Sequence, residues 1–218
     1  MTISVVLETT MAGDRDIREA VLSGDTYTRA KLSTRQVFPI SLPWRIRACI
    51  LTLLVTAFVA PATNARRDLI RSLEGEVVAG GALEPAFALI ALAGALVTFV
   101  AGVFLVGLQY RAATGELTLE QAKRLLWIED AATLLALSPG ISFVWIGVGL
   151  SALGLLAPKL VAGLYTRGVR IYMTGSGVAA VDVWYTSVIG IGLAVVLTSM
   201  WWEVRGAVAA RDVLSKAK

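Results

Sequence analysis

Histidine is absent from this sequence of 218 residues, cysteine and asparagine occur once each (Cys49, Asn64) and glutamine three times. Without an imidazole there is no His-ligated haem, no His-containing zinc or copper site and no His-based acid–base chemistry. A single thiol forms no internal disulfide and supplies no metal-ligand spacing. The shortage of Asn, Gln and Cys, with fifteen Arg to five Lys, fits a thermophilic source and equally a membrane domain with a GC-rich gene.

Charge is scarce as well. Only 17% of residues are Asp, Glu, Lys or Arg, against roughly a quarter in a soluble domain. The net charge of +4 does not point to nucleic acid, because residues 1–47 mix seven basic with five acidic residues and form no dense basic face. Residues 1–43 also hold no apolar core of the length a cleavable secretion signal needs.

What is present is apolar: 56% of residues, with mean hydropathy +0.72, concentrated in uncharged runs. That distribution predicts an all-α integral membrane bundle of about four transmembrane helices, with an N-terminal arm and one interfacial helix. The expected organisation is a polar arm over 1–43, a membrane domain over 44–205 and a helical tail over 206–218. Within the arm, residues 14–23 read as a short amphipathic helix, capped by Asp14 and stopped by Gly24.

The first run, 48–65, is fenced by Arg45 and Arg47 on one side and by Arg66 and Arg67 on the other. Its 18 residues just cross a hydrocarbon core of about 30 Å, and Pro61 is expected to end or kink it. The second run, 85–110, opens on Glu84-Pro85, acid at the cap and proline at the first helical position. Before the third run, 131–158, the segment Thr118-Leu-Glu-Gln121 is a capping box, so a charged helix should start near Leu119. Ser138-Pro-Gly140 should break that helix and turn it from the interface into the span. The fourth run, 183–202, is bracketed by Trp184-Tyr185 and Trp201-Trp202, an interfacial belt pattern, and its helix can continue beyond Glu203.

Four spans put both ends of the chain on one side. That side collects twelve basic residues: Arg29, Lys31, Arg35, Arg45, Arg47, Arg111, Lys123, Arg124, Arg205, Arg211, Lys216 and Lys218. The other collects six: Arg66, Arg67, Arg71, Lys159, Arg167 and Arg170. The bias places both termini in the cytoplasm or inside a particle.

Small residues recur every four positions: Ala48, Thr52, Thr56 and Ala60; Gly94, Thr98 and Gly102; Thr186, Gly190, Ala194 and Thr198. Lipid gives no hydrophobic reward for helix association, so close approach through small side chains must supply it. Gly94, Thr98, Gly102, Gly190 and Ala194 are accordingly candidate packing positions, within the chain in preference to between subunits. Four acids lie near membrane depth: Glu84, Glu129, Asp130 and Asp182. Intramembrane carboxylates are candidate relay or ion sites. Glu84 and Asp182 precede span starts, where free N–H groups favour an anion without further function. Glu129 and Asp130 fall mid-helix, with Lys123 and Arg124 about one or two turns away as expected partners at the interface. Lys159 reads as a snorkelling residue at a helix end.

No catalytic constellation, metal-ligand set or cofactor motif is complete, so no enzyme activity and no cofactor is expected. The chain reads as a structural or accessory part of a larger membrane assembly or a virion envelope. Its expected partners are lipid and other membrane subunits or copies of itself, with no nucleic acid. The alternative is a small transporter or channel subunit working through Glu129 and Asp130.

Overall fold

The computed structural model describes residues 26, 27, 30, 40–65, 86–115, 117–169 and 183–216. Every element among them is helical. In chain order these are α1 (Leu42–Val55), a 3₁₀ turn (Thr56–Phe58), α2 (Val59–Asn64), α3 (Ala86–Thr114), α4 (Leu119–Ala132), a π turn (Thr133–Leu137), α5 (Ser138–Leu156), α6 (Pro158–Thr166) and α7 (Val183–Lys216). Four helical stretches are long and apolar enough to cross a membrane: Leu42–Asn64, Phe87–Thr114, Ser138–Leu156 and Val183–Ala210. Large apolar side chains such as Leu51, Phe58, Val100, Ile146 and Val188 stand exposed on their outer faces, the dressing expected of helices solvated by lipid. The proposed 14–23 helix, most of the arm, Glu84 and Asp182 lie outside the described residues.

The most extensive contacts of α3 are with α5, and it also packs on α7 and α1. Small residues set these approaches. A Cβ built on Gly94 would meet Val144 N and Phe143 Cβ at 2.7 Å and Gly140 O at 2.8 Å, so α3 and α5 touch backbone to backbone. One on Gly147 would fall 2.8 Å from Phe87 O. Gly102 receives Leu197 of α7, and Gly190 of α7 receives Thr56 of the first span. Thr98 and Ala194 are buried. Among the described residues the Thr98 hydroxyl has no hydrogen-bond partner; it is pressed against Gly140, which can offer a weak Cα–H contact.

Two prolines shape the spans. Pro61 lacks the N–H that would bond Ala57, and its ring crowds that carbonyl. The chain answers with the 3₁₀ turn at Thr56–Phe58, and the first span continues to Asn64. Tightening diverts Thr56 O to the N–H of Val59. The Ala60 N–H, one residue on, donates to Ser187 Oγ at 3.0 Å, and that hydroxyl donates back to Thr56 O at 3.1 Å. A side chain of α7 is thus inserted into the backbone ladder of the first span.

Pro139 does not break the chain where the sequence predicts. Helix runs without interruption from Leu119 to Leu156, and the irregularity lies one turn earlier, in the π turn Thr133–Leu137. There the N–H of Ser138 reaches back five residues to Thr133 O. A turn widened in this way accommodates a proline ring and leaves fewer carbonyls orphaned than a full break would. The break falls instead at Ala157 (φ −140°, ψ 61°), so Pro158 opens α6 and does not close the span.

Candidate functional site

Arg45, read from the sequence as a charge outside the first span, is the second most revealing residue of that helix after Pro61: its side chain is 2% exposed. The capping box puts it in company. Thr118 Oγ1 accepts from the Gln121 N–H and the Thr118 N–H donates to Gln121 Oε1, starting α4 at Leu119. Ala122, Leu125, Leu126 and Glu129 then fall on its buried face. Glu129 is also 2% exposed. The π turn begins four residues later and supplies Thr133.

The guanidinium is bonded on three sides. Its Nε donates to Ile40 O at 3.2 Å. Nη1 donates to Thr133 Oγ1 at 2.7 Å and Glu129 O at 3.3 Å, and pairs with Glu129 Oε1 at 3.4 Å. Nη2 donates to Asp130 Oδ1 at 3.1 Å. Thr133 Oγ1 in turn donates a hydrogen bond to Glu129 O at 2.8 Å. One planar fork therefore holds both carboxylates and the end of α4, the geometry for which arginine is suited and lysine is not.

The fifth member comes from the arm. Tyr27 Oη donates to Glu129 Oε2 at 2.7 Å, and Ala30 is buried against Ala122 and Leu126. Burial first, and the Glu129 hydrogen bond second, push the Tyr27 phenol well above its ordinary range. Glu129 thus accepts from Arg45 on one oxygen and Tyr27 on the other, while Asp130 keeps 15% of its side chain open.

The sequence names Lys123 and Arg124 as partners for these acids, and the structure corrects this. Both basic residues are exposed, and the acids turn inward to Arg45 of another helix. A buried carboxylate costs several kcal/mol unless paired and hydrogen-bonded, so the inward geometry is stable only because Arg45 is there. Lys159 is exposed at the start of α6 and joins no cluster among the described residues. Arg45 and Tyr27 escape a reading of runs and motifs. The available signal was that Arg45, Cys49, Thr52 and Thr56 share one helical face, which puts a cation on a packing stripe.

A second polar cluster sits at the same end. Trp201 is 7% exposed, and its Nε1 donates to Gln109 Oε1 of α3 at 3.0 Å. The Arg47 Cζ lies 5.2 Å from the Trp44 ring centroid and 5.7 Å from that of Trp201, while the Arg205 Cζ lies 5.0 Å from Trp201. Ring and guanidinium alternate from the first span to the last. No family model, no curated protein and no solved structure matches this chain.

Proposed function

We propose that this chain is a non-catalytic integral membrane protein serving as a structural or accessory component of a larger membrane assembly. Its carboxylates at 129 and 130 fasten the arm and the first span to α4. In this reading α4 lies at the membrane interface and both termini are cytoplasmic or interior to a particle, in line with the basic-residue bias. The observation that carries the proposal is the Arg45 fork. A transport site needs acids facing a polar path, whereas these two are held by a cation from the neighbouring helix.

The remaining polar side chains of the third and fourth spans support the same view. The hydroxyls of Ser142, Ser151, Thr186, Ser187, Thr198 and Ser199 all donate to backbone carbonyls, which occupies their protons, and those of Ser142 and Ser199 lie on exposed faces of the helices. The second reading, a small transporter or channel subunit, draws on the π turn beside Thr133, since such turns gather at functional sites. Flux through reconstituted vesicles separates the two. Proton and ion flux at the lipid background, with and without the Glu129→Gln and Asp130→Asn substitutions, is the expected result. Flux above background that the double variant loses would transfer the assignment to transport.

A further inference from the structure

We propose that the Trp44–Arg47–Trp201–Arg205 ladder binds the phosphate headgroup of an anionic glycerophospholipid at one end of the bundle. Stacking on an aromatic ring orders a guanidinium without using its donors. A ring occupies its face, and the in-plane N–H fork stays free for an acceptor. Arg47 is stacked on Trp44 and Trp201, and Arg205 on Trp201. Yet among the described residues neither guanidinium donates a hydrogen bond or pairs with a carboxylate. This contrasts with Arg45, two positions from Arg47, which meets acceptors on every edge.

The support under the ladder is fixed. Trp201 is buried in the main core and pinned by Gln109, so its ring offers both arginines a set position. Two like charges converging on one ring repel each other, and an anion between or beside them removes that repulsion. Both arginines are exposed on helices apolar enough to span, beside the exposed rings of Trp44 and Trp202, which places them at headgroup level. A phosphodiester carries the paired oxygens a guanidinium fork recognises, and a lipid brings it to that depth with acyl chains for the exposed apolar faces. The site rests only on the chain lying in a bilayer. It holds for a scaffold and a transporter alike.

The test is native mass spectrometry of the full chain in mild detergent, titrated with phosphatidylglycerol or phosphatidylcholine. The wild type should retain phosphatidylglycerol under conditions that strip phosphatidylcholine. Arg47→Gln with Arg205→Gln should weaken that retention at least about tenfold, the loss expected for charge-assisted hydrogen bonds. Arg167→Gln, an exposed arginine beyond the far end of α5, should not change it. Arg47→Lys with Arg205→Lys keeps the charge and the fold but loses the fork, and should fall between. Retention unchanged in the lysine or the glutamine pair overturns the proposal, as does equal retention of phosphatidylcholine by the wild type. Displacement of the lipid by millimolar inorganic phosphate would assign the site to a free anion and overturn it too.

Discussion

Replacing Arg45 with methionine tests the buried network at its hub. The substitution keeps the apolar stem and removes the donors that now serve Ile40 O, Glu129, Thr133 and Asp130. Glu129, 2% exposed, would then hold a charge with, among the described residues, the Tyr27 hydroxyl alone left to meet it. Breaking a buried pair from one side costs about 3–5 kcal/mol. At about 2–4 °C per kcal/mol for a chain of this size, the thermal midpoint should fall on the order of 10 °C. Removing all three charges together (Arg45→Met, Glu129→Met, Asp130→Asn) leaves no buried charge unpaired and should recover most of the loss. Tryptophan fluorescence during heating in detergent reads these midpoints. A fall of less than about 2 °C for Arg45→Met, which is the cost of a surface pair, would refute the claim that the network is buried and essential to the bundle.

Other consequences can be measured in the same preparation. Gly94→Ala, whose new Cβ would meet the backbone of α5 at 2.7–2.8 Å, should destabilise by about 1–3 kcal/mol, whereas Gly192→Ala, with nothing within 4 Å, should be neutral or better by up to about 1 kcal/mol; equal midpoints would contradict the close crossing. Tyr27→Phe removes a hydrogen bond to a buried carboxylate and should cost about 1–3 kcal/mol. Because the folded phenol has the raised pKa, its contribution is whole below the ordinary value of 10.0 and is lost as pH rises above it. The wild-type advantage over Tyr27→Phe should therefore shrink above about pH 10, and a difference constant with pH would count against the buried phenol. Single cysteines at Ser4 and Ser215, in a Cys49→Ala background, should react alike with an impermeant reagent, and opposite accessibility would mean an odd number of spans.

The four long apolar helices were legible because uncharged runs of this length have one economical solution in a bilayer, with every backbone group bonded internally. The start of α4 was legible for a local reason, since Thr118 and Gln121 cap each other over three residues. So was the continuation of α7, which passes Gly206 to Lys216. The site was half legible. Glu129 and Asp130 stand out in the sequence, but their partner lies 84 or 85 residues away, and no local pattern encodes a pairing at that distance. Arg45 looked like a boundary because charge normally ends an apolar run. Pro139 looked like a break because proline normally removes more bonding than a helix can replace, and the π turn replaces it.

The hydroxyl of Ser187 between Ala60 N–H and Thr56 O has a consequence for the order of assembly. The first span leaves the ribosome long before α7 is made, so during synthesis the gap opened ahead of Pro61 has no plug. Until the last helix arrives, the Ala60 N–H and the Thr56 carbonyl must find other partners, water among them. Its full hydrogen bonding at this turn is therefore completed by lateral docking after insertion, the second of two stages. A nascent chain stopped before residue 187 would carry a first helix that is inserted but not yet in its final form.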